Sequence, residues 1–267
     1  MRVRIATAFE FRKLKSVSKP LIVDYVADKV VELAQDLRPT EHLDMGAGWG
    51  HLIERLRVRL PQLKSCALDY NPSHFPLPDV PIAHVDFNRD RIPHADQRFD
   101  LVTCTEVFEH LENYRHAVRE AARVLQPGGV FVVSTPNVLT AKSRWAFLTR
   151  GFFTFFDPLP LKEDPNFYPG QRHITPIPFF YLAHALYDFG FEEIQPHSDR
   201  TQRSSSIWAA LLWPLLHFCV WNSLRRRRRR YAHLPEEVES LAALNNSWTV
   251  LTGRTIIISA RKKIVPA

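Results

Sequence analysis

Glycine is scarce in this chain, with nine in 267 residues, and three of the nine fall at alternate positions in one loop: Gly46, Gly48 and Gly50. Concentrating a rare, flexible residue there marks the loop as functional. Cysteine is limited to Cys66, Cys104 and Cys219. An odd count without metal-type spacing excludes a disulfide framework or a zinc site. Buried free thiols in a reducing compartment are expected instead. The first twenty residues carry Arg2, Arg4, Arg12, Lys13 and Lys15 but no sustained apolar run. No secretory signal is expected there, and the folded domain is placed in the cytoplasm. Net charge is also small outside one block. Net charge is +7, and the six arginines of Arg225–Arg230 account for nearly all of it. The basic character is a local contact or address, not a property of the whole fold.

The segment Glu41-His-Leu-Asp-Met-Gly-Ala-Gly-Trp-Gly50 reads as a buried strand ending near an acid, then the glycine loop, then a helix. A second strand-like run, Ser65-Cys-Ala-Leu-Asp69, ends in another acid. Open α/β sheets bind nucleoside cofactors this way: glycine lets the backbone approach the ligand, and the acid accepts from ribose hydroxyls. The spacing departs from the dinucleotide fingerprint G-x-G-x-x-G, whose third glycine would fall at His51. Asp44 adds a carboxylate suited to a cationic amino group.

Periodicity extends this to an architecture. Pro20 suits a first helical turn, and Leu21, Ile22, Tyr25, Val26, Lys29, Val30 and Leu33 predict an amphipathic helix over 20–36. Strands are expected at about 41–45, 64–69, 82–85, 99–104 and 130–135, with Pro127-Gly-Gly129 as a turn before the fifth. Helices are expected at about 50–59 and 113–125, the latter with Ala117, Ala121 and Val124 inward and Arg115, Arg119 and Arg123 outward. This alternation predicts a doubly wound, Rossmann-like α/β fold with a mostly parallel sheet. At 267 residues the chain suits one such domain with an insertion or a small appendage.

Together these motifs resemble the class I S-adenosylmethionine (SAM)-dependent methyltransferases. Val85-Asp-Phe87 is similar to that family's adenine-binding turn. Phe99 to Leu111, with its Glu106-Val-Phe-Glu-His110, resembles the fourth strand and its loop. Arg123 to Asn137, ending Thr135-Pro-Asn137, resembles the fifth strand. The match covers roughly residues 20–137. Its Glu-His-Leu and Thr-Pro-Asn signatures look closest to quinone-biosynthesis O-methyltransferases and to methyltransferases that decorate bacterial glycans. The resemblance implies a seven-stranded sheet, with two further strands at about 191–196 and 254–260 and the last one antiparallel. It implies SAM as cofactor and methyl transfer to an oxygen of a small or lipid-linked acceptor. N- or C-methylation of a small metabolite and an inactive SAM-binding scaffold are the alternatives.

By the same resemblance, Gly46, Ala47, Gly48 and Gly50 surround the methionine part, and Asp44 orients its amino group directly or through water. Asp69, followed by Tyr70, binds both ribose hydroxyls. Asp86 accepts from the adenine amino group beside Phe87, with Asp90 and Asp96 as nearby alternatives. Thr105 lines the sulfonium side, with Glu106 next to it among the cofactor-binding residues; Glu106 and Glu109 either position a histidine or are simple loop acids. His110 and His173 are the candidate bases, since a neutral imidazole takes a hydroxyl proton near neutral pH; a capping or hydrogen-bonding role is the competing reading. No metal cluster stands out.

Three segments lie outside the minimal sheet. Residues 1–19 form a basic N-terminal segment. The domain itself spans 20–197 and 251–263, with an aromatic-rich acceptor cap at 138–175 that is read either as a lid or as core packing. Residues 198–250 form an insertion. Within it, Ile207–Trp221 is almost wholly apolar, and as a helix would extend only ~22 Å against a ~30 Å hydrocarbon core. Pro214 and His217 further oppose a spanning helix. Three tryptophans and the following Arg225–Arg230 block point to peripheral attachment to an anionic membrane surface. A helix packed on the domain is the competing reading. Nucleic acid is not expected, because no stacking module or recognition motif accompanies the arginines.

Overall fold

The computed structural model describes residues 22–158, 172–230 and 236–264. The expected basic segment 1–19, Pro20 and Leu21 lie outside them, as does 159–171 of the expected cap. A helix, α1 (Ile22–Leu37), buries Val26, Ala27, Val30 and Ala34 along one side. The strands β1 (Glu41–Met45), β2 (Lys64–Asp69), β3 (Ile82–His84), β4 (Phe99–Thr105), β5 (Leu125–Pro136), β6 (Phe191–Ser198) and β7 (Thr255–Lys262) form one sheet, in the order β3-β2-β1-β4-β5-β7-β6. β7 runs antiparallel to both neighbours. The remaining helices are α2 (His51–Arg59), α3 (Tyr114–Val124), α4 (Ala141–Arg150), α5 (Phe179–Asp188), α6 (Arg203–Arg230), α7 (Glu236–Leu244) and α8 (Trp248–Thr252).

Alternation along the central strands divides the core. Leu101, Val130, Val132 and Ile257 face α1 and α2. Val102, Cys104, Phe131 and Val133 face the opposite layer with α3 and α5. β1 pairs in parallel with both β2 and β4, so the strand order reverses there. Such a reversal opens a crevice beyond the carboxyl ends of the strands.

Four expectations need correction. The expected turn at 127–129 lies inside β5: Phe99 pairs with Leu125, and pairing resumes at Leu101 with Val130 across an irregularity. Gly128, at φ +81°, absorbs that bend. Arg123 is not outward. It donates to Glu120, Asp96 and the carbonyls of Ile92 and His94, tying the 92–96 loop to α3. The third free thiol, Cys219, is exposed. The apolar run at 207–221 is the middle of one long helix that continues through the arginines, with Pro214 inside it.

Candidate functional site

The crevice at the β1–β4 reversal has a volume of about 510 Å³, within the range of small-molecule sites. It is lined by Gly46, Asp69, Tyr70, Asp86, Phe87, Asn88, Glu106, Val107, His110 and Leu111. Of the residues singled out from the sequence, Gly46, Asp69, Tyr70, Asp86, Phe87, Glu106 and His110 therefore meet in one cavity.

The glycine loop is built for close approach. Gly46, Gly48 and Gly50 all have positive φ. A Cβ on Gly46 would stand 2.2 Å from Val107 Cγ2. The N–H groups of Gly46 and Ala47 both donate to the Leu68 carbonyl, which pins the loop to the end of β2. Gly48 N–H donates to Asp69 Oδ2 at 2.8 Å, and Asn71 N–H donates to Asp69 Oδ1 at 2.7 Å. Each oxygen of Asp69 keeps a further lone pair, so the carboxylate is aimed and still able to accept from a diol. Gly50 begins α2, where a Cβ would press on Leu77 and Phe75.

Asp44 does not line the crevice. It is buried beneath it, and its Oδ1 accepts the Thr103 hydroxyl at 2.7 Å. Thr103 in turn accepts from His42 Nε2, and His42 Nδ1 meets Ser65 Oγ. Burial pushes the Asp44 carboxyl up to about 7 and the His42 imidazole down to about 3. Asp86 lines the crevice, but its oxygens already hold the Asn88 N–H and side-chain amide, and Arg89. Asp90 caps the Asp86 N–H. The buried Thr105 Oγ1 has no hydrogen-bond partner among the described residues.

The far wall rises from the turn after β4. Glu106 takes a positive φ of 55° and accepts the Ser134 hydroxyl at 3.0 Å. Burial raises its carboxyl to about 7. Glu109 is fully buried. Its Oε2 accepts from Thr135, while Oε1 has no hydrogen-bond partner among the described residues and lies 4.0 Å from His110 Nε2. Burial, and then the neighbouring Glu106, hold its pKa well above the usual carboxylate range.

His110 and His173 are 63 positions apart in sequence, yet their rings meet edge-to-face at 5.0 Å. Three hydrogen bonds bring them together. The Glu109 carbonyl accepts the N–H groups of Ile174 and Thr175, and the Thr175 hydroxyl donates to the Leu111 carbonyl. His110 Nδ1 lies 2.8 Å from the Arg172 carbonyl, and His173 Nδ1 lies 3.0 Å from the Phe155 carbonyl. A carbonyl only accepts, so Nδ1 carries a proton in both rings, and the neutral form of each ring has its lone pair on Nε2. Burial depresses the His110 pKa, which keeps it neutral. Donor atoms of Glu109, His110 and His173 lie within 4.8 Å of one another and can hold a metal ion. The aromatic insertion divides: Phe155 and Phe156 meet His173, whereas Trp145 stacks on Trp208 of α6.

Sequence reasoning missed Asn88, Val107 and Leu111 as lining residues, and it left Glu109 open between a residue that positions a histidine and a loop acid. Its position directly before His110 was the available signal. Asn137, at the end of the Thr-Pro-Asn signature, is structural. Its amide donates to the carbonyls of Val250 and Gly253, clasping the chain ahead of β7.

Residues 21–195 match the family profile described as "Methyltransferase domain". The chain is 30% identical over 118 residues to a malonyl-[acyl-carrier protein] O-methyltransferase of Hahella chejuensis, covering 41% of each chain. It is 32% identical over 124 residues to a ubiquinone biosynthesis O-methyltransferase of Alkalilimnicola ehrlichii, covering 44% of this chain and 49% of the relative. Both matches span less than half of the relative's length. A SAM-dependent methyltransferase from Archaeoglobus fulgidus shares the fold with a TM-score of 0.56 at 14% identity, over 96% of this chain and 100% of that one. The aimed Asp69, the glycine cradle against Val107 and the crevice between them fit a nucleoside with a bulky substituent. The chain belongs to the methyltransferase-domain family, with S-adenosylmethionine as its cofactor.

Proposed function

We propose that this protein moves the methyl group of SAM to an oxygen of a small or lipid-linked acceptor, such as a quinone precursor or a glycan intermediate, with His110 as general base. The observation that carries this reading is the fixed tautomer of His110: a neutral ring on the crevice wall, its Nδ1 proton spent on the Arg172 carbonyl. SAM supplies an electrophilic methyl carbon on a sulfonium that leaves as a thioether. The chain's own task is to hold the nucleoside, exclude water and receive the acceptor's proton. Asp69 and the glycine loop orient the nucleoside. His110 Nε2 takes the hydroxyl proton as the oxygen–carbon bond forms and the carbon–sulfur bond breaks. His173 packs on the edge of that ring and positions it. The two relatives named above act as O-methyltransferases, which supports oxygen as the nucleophile.

Glu109 favours a second reading of the same wall. Its Oε1 has no hydrogen-bond partner among the described residues, lies 4.0 Å from His110 Nε2, and shares one space with the ring nitrogens of His110 and His173. Acceptors so placed repel unless a proton or a cation sits among them. A divalent cation there would polarise the acceptor oxygen in place of a base.

The test is incubation of the protein and labelled SAM with fractionated polar and lipid extracts, followed by mass spectrometry. Label on an oxygen of one acceptor is expected. Label on nitrogen or carbon replaces the reaction class. SAM binding without transfer to any fraction assigns a scaffold role.

A further inference from the structure

The 28 residues of α6 extend about 42 Å, and the helix is long and apolar enough to cross a membrane by length and composition. Only 6% of its most apolar stretch is buried against the domain. The two sides of the helix differ. Ser205 and Ala209 are buried, and Trp208 stacks on Trp145 of α4. The Leu216 carbonyl, on the same side, accepts from Asn246 ahead of α8. Ile207, Leu211, Pro214, Phe218 and Trp221 recur at helical spacing on the side facing away, and all five are exposed. Leu211 is 70% and Phe218 58% exposed. The stripe runs directly into the arginines, and Arg225 covers the Trp221 ring at 5.4 Å.

A stripe of large apolar side chains left in water is costly, and it marks a contact surface. The charge beside it selects the occupant. Arginines that continue an apolar, tryptophan-bearing face complement an anionic headgroup layer over acyl chains. The packed side favours a helix lying in the surface plane, because insertion across it would tear α6 from α4 and uncover Ala209.

We infer that α6 lies in the plane of an anionic lipid surface, with Ile207, Leu211, Phe218 and Trp221 in the acyl boundary and Arg225–Arg227 on the headgroups. The methyltransferase domain then rides on the membrane through its insertion. This attachment holds whichever acceptor the crevice takes.

The test is flotation of the full chain with vesicles of phosphatidylcholine alone or mixed with phosphatidylglycerol. SAM calorimetry on the same preparations checks the domain separately. Flotation is expected only with phosphatidylglycerol, and high salt should release the protein as the screening length falls to ~3 Å. Replacing Arg225, Arg226 and Arg227 by glutamine should weaken partitioning roughly 100-fold. Leu211→Glu with Phe218→Glu should abolish it, and SAM affinity should stay unchanged in both variants. Equal flotation on both vesicles, or indifference to the Leu211/Phe218 pair, overturns the inference. Retention through an alkaline carbonate wash overturns it in favour of a spanning helix. A soluble dimer broken by that pair, without flotation, assigns the stripe to a second copy instead. Lost SAM binding in the wild type would count against the crevice assignment and leave the lipid result standing.

Discussion

On the nucleoside side of the crevice, both oxygens of Asp69 already accept backbone N–H groups. On the opposite wall, Glu109 Oε1 is buried with no hydrogen-bond partner among the described residues, and donor atoms of His110 and His173 lie within 4.8 Å of it. The difference follows from what each side must meet. A cofactor of fixed shape is best held by groups oriented before it arrives, since no reorganisation is then needed on binding. A proton-accepting wall must keep unspent acceptor capacity, because its partner exists only during the reaction. On the proposed mechanism, the doubly bonded Asp69 belongs to the binding half, and Glu109, with one unbonded oxygen, belongs to the reacting half.

The largest effect should fall on the unsatisfied wall. His110→Gln removes the lone pair that faces the acceptor, and turnover should drop about 10²- to 10⁴-fold. SAM affinity measured by calorimetry should hardly move, because Asp69 and the glycine loop are untouched. Chelation by EDTA sharpens the assignment. An unchanged wild-type rate supports His110 as base, and a rate abolished by EDTA and restored by magnesium moves the role to a cation on Glu109, His110 and His173. Normal turnover in His110→Gln, with no response to EDTA, would leave proximity alone as the source of catalysis.

The pre-bonded side should respond in the opposite sense. Asp69→Ala removes two acceptors for the ribose and also frees the Gly48 and Asn71 N–H groups. Charge-assisted hydrogen bonds of this kind predict a loss in SAM affinity of about 100-fold. Turnover at saturating SAM should fall much less. If Asp69→Ala lowers turnover as much as His110→Gln does, the division between the two walls is wrong.

What could be read from the sequence divides along the same line. Gly46, Asp69, Asp86 and Phe87 sit at ends of strands with strong local patterns, so both their elements and their meeting place were legible. The antiparallel β7 followed from the family resemblance. The reacting wall is assembled by long-range contact. His173 reaches His110 only because Ile174 and Thr175 donate to the Glu109 carbonyl, and no local pattern encodes that. Burial of Glu109 was hidden by its polar identity, and the inward turn of Arg123 by its charge. The length of α6 was underestimated because the apolar pattern ends at Trp221, whereas the helix runs on through the arginines. The helix also passes through Pro214, and just beyond it the Leu216 carbonyl accepts from Asn246.

The smallest effect concerns Asp44, a binding-side acid that is hydrogen-bonded and yet uncomfortable. Thr103 satisfies one oxygen, but burial still raises the carboxyl from 3.8 to about 7. Folding therefore takes up a proton between those two values. Stability contributed by this group is full at low pH, falls as pH rises toward 7, and stays at the lower level above it. Asp44→Asn cannot ionise and keeps an oxygen for the Thr103 hydroxyl. The variant should gain on the wild type by about 2 kcal/mol between pH 5 and pH 8, read as the shift in urea midpoints. Comparing the two proteins cancels the slopes of Glu106 and His197, which both carry. Parallel curves would mean that Asp44 is ionised throughout, and that water beneath the crevice relieves its burial. A widening gap, with weaker SAM binding by the variant at pH 8, would mean that the fold tolerates a costly carboxylate for the sake of the cofactor's ammonium group.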